Sequence, residues 1–305
     1  MAVNNYVLLG TCFVLGVFLK KTRQLPDNAA AALSGFVVNI SLPALTLVYL
    51  HGLKVNSALI MPALMAWMVF GIGCGFFWVV GRSINLSRGT TGGLMLTGGL
   101  ANTSFIGLPM IETFYGPENL GLGILIDQLG SYFVLSTLGI LIASIYSSGN
   151  TVSAKTIALK IVKFRPFQAF VLAFILMPLD YPTWTVDLLK RLGATLVPLA
   201  LVSVGYQMRL SQFKGRSQAL AIGLGFKLLI APAVILAMYS IAFGEVGSNL
   251  QVTVFESAMA PMIGASIVAI EHELDPPLLT LMVGVGIPLS FLTLPAWWYA
   301  LQRFA

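Results

Sequence analysis

The chain consists of long apolar runs separated by short polar loops, and most of the runs approach the roughly 20 residues that an α-helix needs to span a bilayer. Hydrophobic residues make up 57% of the sequence and charged residues 9%, whereas a soluble domain carries about 25% charged residues. Such a chain cannot cover its surface with water-compatible side chains. The sequence therefore predicts an all-α polytopic membrane protein. The ten predicted spans are 5–19, 28–50, 58–81, 89–112, 119–146, 166–179, 188–208, 217–242, 248–271 and 276–301.

The basic residues are spread among the loops, so the formal net charge of +6 does not indicate nucleic-acid binding. Loops of odd number carry most of them, and the positive-inside rule assigns such loops to the cytoplasm. We therefore predict a protein of the cell inner membrane, surrounded by lipid, with both termini outside the cytoplasm. The odd loops hold Lys20, Lys21, Arg23, Arg82, Arg88, Lys155, Lys160, Lys163, Arg165, Arg209, Lys214 and Arg216, against Lys54, Lys190, Arg191 and Arg303 in the even loops and C-terminus.

Prolines inside the apolar runs recur at nearly one offset. Pro43 and Pro198 of the second and seventh spans are 155 residues apart, and Pro109 and Pro261 of the fourth and ninth are 152 apart. Five spans per half is an odd number, so the second half must enter the membrane with the opposite orientation. The spacing predicts a 5+5 inverted repeat, a common transporter architecture. Coincidence is the alternative, because proline is frequent in membrane helices.

The repeat also predicts how the chain is divided. Residues 1–147 form the first five-helix repeat, 148–165 a short cytoplasmic loop and 166–305 the second repeat. Within the loop, residues 154–162 are compatible with a helix on the membrane surface.

The fourth and ninth spans carry polar and helix-breaking residues at their centres: GGLANTSFIGLP at 98–109 and ESAMAPMIGA at 256–265. Non-helical backbone at membrane depth is tolerated only where it is buried in protein or lines a cavity, so we expect the two segments to meet. The N-termini of the broken helices would favour an anion. Alternatively, the polar side chains only join helices. The predicted substrate-binding residues are Asn102, Thr103, Ser104, Gly107, Pro109, Pro261 and Gly264, with Asn39 of the second span.

Charged residues at membrane depth are costly and indicate function by default. We predict that Glu256 couples transport to a cation, by carrying a proton or by ligating sodium near Met259 and Asn102. The alternative is that Glu256 lies near the outer interface and extends to water. Asp127 and Lys227 are further candidates for cation coupling. Pairing of Asp127 with Lys227 in a structural or gating role is one interpretation, and attraction of the entering anion by Lys227 is the alternative.

In the order of its motifs, the chain resembles the auxin efflux carrier (PIN-like) family, and the bacterial permeases of that family in particular. The resemblance covers almost the whole chain and is carried by NISLPAL at 39–45, NTSFIGLP at 102–109, PLALVSVG at 198–205, KLLIAP at 227–232 and AMAPMIGA at 258–265. More distantly, ESAM at 256–259 is similar to the acidic segment of sodium-coupled bile acid transporters, although Ala260 stands where those carriers have a further polar ligand.

The family resemblance implies a fold and a mechanism. It implies that the fourth and ninth helices cross at their prolines, that helices one, two, six and seven form a dimer scaffold, and that helices three to five and eight to ten carry the substrate like an elevator. It also implies a homodimer and a carboxylate substrate such as malonate, malate or an auxin-like acid. The short central loop favours a compact prokaryotic type of carrier.

The residues and the resemblance together predict a secondary transporter of a small organic anion. A sodium-coupled symporter of the bile acid type is one alternative, and a channel or sensor is another. An intramembrane enzyme would need a nucleophile with a base, or a metal cluster, and the sequence has neither a metal-ligand spacing nor a phosphate loop. We therefore predict no enzymatic activity and no cofactor beyond a coupling sodium ion or proton.

Overall fold

The computed structural model describes residues 2–51, 59–147, 155, 159, 162–207 and 215–304. Within these ranges the regular structure is helical, and the only strand-like pairing is one isolated β-bridge. Side chains are described from Val7 to Arg303. The helices are α1 (Ala2–Lys21), α2 (Ala29–His51), α3 (Ile60–Ser83), α4 (Arg88–Gly99), α5 (103–115), α6 (Pro117–Tyr146), α7 (Arg165–Leu176), α8 (Thr183–Gln207), α9 (Ser217–Ala242), α10 (Gly247–Ser257), α11 (Ile263–Glu271) and α12 (Pro276–Leu301).

The apolar runs of the sequence become helices, as predicted for a polytopic membrane protein. In the part of the chain described, six helices are long and apolar enough to cross a membrane: α2, α3, α6, α8, α9 and α12. Helix α8 begins at Thr183, five residues before the predicted span, because its first turns form an amphipathic helix with Lys190 and Arg191 near the end. Most of the predicted loop at 148–165, and the loop residues Lys54, Lys160, Arg209 and Lys214, lie outside the described ranges.

Helices of the first half have counterparts in the second half at a nearly constant distance along the chain. The first residues of α2, α3, α4, α5 and α6 precede those of α8, α9, α10, α11 and α12 by 154 to 160 residues. The helix boundaries therefore repeat with almost the period found for the prolines.

The helices pack most extensively within two sets. One set contains α1, α2, α7 and α8, and the other contains α3 to α6 and α9 to α12. In the first set, α2 and α8 are joined by two hydroxyl pairs, Ser34 with Ser203 at 2.8 Å and Ser41 with Thr195 at 2.7 Å. In an apolar interface, each hydroxyl group obtains its hydrogen bond from the hydroxyl group of the other helix. The two pairs therefore define the relative position of α2 and α8.

Residues at the odd-numbered loops contact one another at one end of the bundle, and residues at the even-numbered loops contact one another at the other end. Asp275, in the ninth loop, accepts hydrogen bonds from Arg216 of the seventh loop (2.9 Å) and from Thr90 at the start of α4 (2.7 Å). At the other end, His51, the last residue of α2, lies 2.7 Å from the carbonyl oxygen of Leu179, which follows α7. The contacts therefore group the loops by parity, as an alternating path through a membrane requires.

Helices α1 and α8 come into close backbone contact at Gly16. A Cβ added to Gly16 would lie 2.9 Å from the backbone nitrogen of Tyr206 and would also overlap the carbonyl oxygen of Val202. We expect Gly16→Ala to destabilise the protein by about 1–3 kcal/mol, because neither backbone can yield without moving a helix. Thermal unfolding in detergent measures this. Gly10→Ala, on the same helix with open space around it, is the control, and equal unfolding temperatures would contradict the prediction.

Candidate functional site

Two helices break and cross at the centre of the second set. Between α4 and α5 the backbone is non-helical from Leu100 to Asn102, and between α10 and α11 it is non-helical from Ala258 to Met262. The backbone nitrogen of Asn102 donates to the Ala260 carbonyl oxygen (2.9 Å), and the backbone nitrogen of Met262 donates to the Leu100 carbonyl oxygen (3.1 Å). The prediction that the fourth and ninth spans are broken and meet is therefore confirmed.

The two backbone hydrogen bonds explain how this break can exist at membrane depth. Each unsatisfied N–H or C=O group in a bilayer costs several kcal/mol, and the crossing segments satisfy each other instead. Pro261, which has no N–H to satisfy, forms the bridge opposite Ala101. It packs closely on Gly286, where an added Cβ would lie 2.6 Å from the proline Cδ.

The expected crossing at both prolines is correct for Pro261 and wrong for Pro109. The break in the fourth span lies at 100–102, and Pro109 is buried inside the continuous helix α5. The preceding turn, Thr103–Gly107, is π-helical. Such a turn shifts the hydrogen-bond ladder by one residue and so accommodates the missing N–H of proline.

A cavity of about 470 Å³ lies beside the crossing, between the two helix sets. It brings together Asn102, Ser104 and Gly264 of the predicted substrate-binding residues, and adds Asp127 of the predicted coupling residues. The mouth contains Asp27 and Asn28, which are exposed. The whole lining is Asp27, Asn28, Ala30, Ala31, Ser34, Val38, Leu42, Asn102, Ser104, Phe105, Asp127, Tyr132, Leu135, Phe164, Gln207, Met262, Ile263, Gly264 and Ile267.

Asn102 contributes a free hydrogen-bond donor to this region. Its side-chain oxygen accepts a hydrogen bond from the backbone nitrogen of Phe105 (3.2 Å) and so caps α5. Asn102 is 2% exposed, and its Nδ2 has no hydrogen-bond partner among the residues that the structure describes. A buried amide N–H without a partner costs about 1–3 kcal/mol, which a ligand oxygen can recover.

Asp127 lies in a π-helical stretch of α6 and accepts three side-chain hydrogen bonds. Thr103 and Ser104 donate to Oδ1, both at 2.5 Å, and Gln128 donates to Oδ2 at 2.7 Å. The predicted pairing of Asp127 with Lys227 is wrong. The hydroxyl groups at the start of α5 satisfy the carboxylate, while the Lys227 ammonium group is engaged elsewhere.

Lys227 and Glu256 are both fully buried, and the Asp127 carboxyl group and Lys227 both act electrostatically on Glu256. The Lys227 Nζ donates to the backbone carbonyl oxygen of Ser257 at the end of α10 (2.8 Å), and its charge acts on Glu256. Within the described ranges, neither carboxylate oxygen of Glu256 has a hydrogen-bond partner. The carboxylate lies against Gly107, where an added Cβ would be 2.7 Å from Oε1.

The burial of Glu256 excludes the alternative that this side chain extends to water at the interface. Met259 is also fully buried, and its amide nitrogen bonds to the Glu256 carbonyl oxygen at 3.3 Å. The backbone of Asn102 bonds to Ala260, the residue after Met259. Asn102, Met259 and Glu256, the three residues predicted near a sodium ion, therefore all lie at or beside the crossing.

The remaining predicted residues lie outside the cavity. Thr103 is fully buried against Asp127, and the carbonyl oxygen of Pro109 accepts a bond from Thr113 inside α5. Asn39 is exposed, and its amide bonds to the Gly35 carbonyl oxygen of its own helix (2.7 Å). The structure therefore does not bring Asn39 to the crossing.

Aromatic residues of the site were not predicted. The Tyr132 and Phe164 rings stack with their centroids 3.7 Å apart and form part of the cavity wall. Tyr132 lies five residues after Asp127 in the same π-helical stretch, which is the one signal that could have found it. Phe164 precedes α7, and nothing in the local sequence indicates that it would reach this cavity.

Comparison with known proteins places the chain among transporters. It matches the family described as membrane transport protein over residues 3–298. It is 29% identical over 288 residues to an uncharacterized transporter of Methanothermobacter thermautotrophicus, covering 93% of both chains. It is also 26% identical over 312 residues to an uncharacterized transporter of Methanocaldococcus jannaschii, covering 99% of both chains.

Proposed function

Because this chain belongs to the membrane transport protein family, the family of the auxin efflux carriers, we propose that it is a secondary transporter of a small organic carboxylate. The crossing of the two broken helices beside a cavity carries this proposal. Discontinuous helices that meet at an enclosed site are how many carriers bind a substrate near the centre of the bilayer.

The cavity offers donors suited to a carboxylate. Helices α5 and α11 both begin at the crossing, so the N–H groups of their first turns and their positive dipole ends lie there. No side chain in the described part of the chain caps helix α11, which leaves the N–H groups around Gly264 for a ligand. The unpartnered Nδ2 of Asn102 supplies a further donor.

The two helix sets supply the parts for alternating access. We propose that α1, α2, α7 and α8 form a fixed scaffold, the contact surface of a homodimer, and that the other set moves past it like an elevator. The cavity between the sets has its mouth at Asp27 in the first loop, which is cytoplasmic by the charge rule. At the other end the sets enclose a smaller pocket of about 130 Å³ with Glu112 and Lys190 in its wall. This arrangement is that of an inward-facing carrier.

The inverted repeat is part of the same proposal. A near-constant offset of 154 to 160 residues between helix starts, with the loops grouped by parity, is expected of two five-helix units of opposite orientation. The units correspond to residues 1–147 and 166–305.

Glu256 is the proposed coupling residue. A buried carboxylate without a hydrogen-bond partner is costly unless a cation or proton neutralises it. It lies at the crossing but not in the wall of the substrate cavity. Binding of a sodium ion or a proton at Glu256 would therefore stabilise the crossing that the substrate contacts.

Replacing Asn102 by alanine is expected to raise the KM for the transported carboxylate by about 10- to 100-fold, since a hydrogen bond to a charged group contributes about 1.5–3 kcal/mol. Uptake and counterflow in proteoliposomes measure this. The matched control is Asn39→Ala, which removes an exposed amide outside the cavity. Unsaturable current would favour a channel instead, absence of flux would favour a sensor, and equal KM values for the two variants would contradict the proposed site.

A further inference from the structure

The charges of the cavity limit which carboxylate it can accept. Among the described lining residues are two aspartates, Asp27 at the mouth and Asp127 inside, and no lysine or arginine. A dicarboxylate such as malate would bring two negative charges to a cavity that already contains one buried carboxylate. Like charges in a site of low dielectric constant repel strongly. The lining therefore disfavours the dicarboxylates that the family resemblance suggests.

Asp127 accepts side-chain hydrogen bonds on both of its carboxyl oxygens, two on Oδ1 and one on Oδ2. Three of about four acceptor positions of a carboxylate are used, which leaves one on Oδ2. The hydrogen-bond partners that the structure describes for Asp127 are the uncharged side chains of Thr103, Ser104 and Gln128.

The unpaired donor on Asn102 and the acceptor Asp127 lie close together in the structure. Asp127 is bonded directly to Thr103, the neighbour of Asn102. Asn102 has a free donor and Asp127 a free acceptor position, and both residues line the cavity. A ligand that satisfies both needs a carboxylate and an ammonium group separated by only a few bonds.

The rest of the wall is apolar. The stacked rings of Tyr132 and Phe164 lie on one part of it, with Leu135, Ile263 and Ile267 among the other lining residues. An apolar wall of this kind buries an aliphatic or aromatic group favourably, at about 25 cal/mol per Å².

We propose that the substrate is a zwitterionic α-amino acid with an apolar side chain. Its ammonium group binds Asp127, its carboxylate binds Asn102 and the start of α11, and its side chain contacts Tyr132 and Phe164. This inference rests on the proposed transport function and narrows its substrate class.

Deletion analogues test the two charges separately. The probes are L-phenylalanine and L-leucine, then 3-phenylpropanoate, which lacks the ammonium group, 2-phenylethylamine, which lacks the carboxylate, and malate. Binding to the purified protein and uptake into proteoliposomes are measured for each. We expect phenylalanine or leucine to bind at least about tenfold tighter than the singly charged analogues, because each analogue leaves a buried polar group unpaired.

The variant Asp127→Asn separates a binding role from a purely structural one. It should remove the preference for phenylalanine over 3-phenylpropanoate and improve the binding of 3-phenylpropanoate. The control Asp187→Asn, at an exposed position on α8, should keep the wild-type preference. The wild-type comparison of probes tests the proposal even if Asp127→Asn fails to fold.

Two results would overturn the assignment. One is binding of malate or 3-phenylpropanoate as tightly as either amino acid, and the other is an unchanged preference in folded Asp127→Asn. In either case, saturable uptake of a carboxylate would leave the transport function standing. If no probe showed saturable uptake, the zwitterion assignment would be rejected and the proposed transport function would lose its support as well.

Discussion

Replacing Lys227 by methionine is expected to lower the free energy of unfolding by about 3–5 kcal/mol, the range for removing one partner from a buried charged group. The Lys227 ammonium group bonds to the Ser257 carbonyl oxygen at the end of α10, one residue after Glu256. Without it, that carbonyl loses its side-chain donor, and the fully buried carboxylate of Glu256 loses the positive charge that acts on it. Methionine has a similar length and no charge, so the packing volume changes little.

A double-mutant cycle identifies the cause of that loss. If Glu256 is destabilised because its charge is uncompensated, Lys227→Met combined with Glu256→Gln should recover a large part of the stability, with a coupling of about 1–3 kcal/mol. Chemical and thermal unfolding in detergent micelles measure the four proteins. The control is Lys21→Met, at an exposed position. Strictly additive losses would show that Lys227 acts through the Ser257 carbonyl alone.

The main features of the fold could be predicted from the sequence because they depend on local composition. Long apolar runs define helices, and the glycine, proline and polar residues at 98–109 and 256–265 mark where two helices cannot continue. The position of the break within the fourth span could not be predicted. Pro109 is the stronger breaker by type, but a π-helical turn accommodates it. The chain opens instead at 100–102, where the segment between α10 and α11 offers backbone partners.

The partners of the buried charges could not be predicted either. Lys227 bonds to a backbone carbonyl oxygen, and a carbonyl carries no signature of residue type. Asp127 bonds to hydroxyl groups 23 and 24 residues earlier in the chain, and only the crossing brings them to it. Asn39 and Asn102 are both asparagines in apolar runs. Their difference, one exposed and one buried beside the cavity, depends on which helix face meets the other set.

Replacing Glu256 by glutamine is expected to abolish accumulation of substrate against its gradient while leaving substrate binding nearly unchanged. Substrate binding and ion coupling are expected to separate because Glu256 is absent from the described cavity wall and lies against Gly107. Glutamine keeps the size of the side chain and removes the charge that a sodium ion or a proton would neutralise. A coupling ion can drive transport only by the difference between its affinities for the conformational states of the protein. Without the Glu256 charge, that difference in affinity is lost.

Proteoliposomes with imposed sodium or proton gradients measure the effect, since the wild type should respond to one of the two. Glu256→Gln should respond to neither, yet still exchange labelled for unlabelled substrate, because exchange needs the cavity and the moving helices but no net ion movement. Glu271→Gln, at an exposed position at the end of α11, should retain the wild-type response. If Glu256→Gln accumulated substrate as the wild type does, the coupling charge would lie elsewhere, and among the described residues Asp127 would be the next buried carboxylate to test.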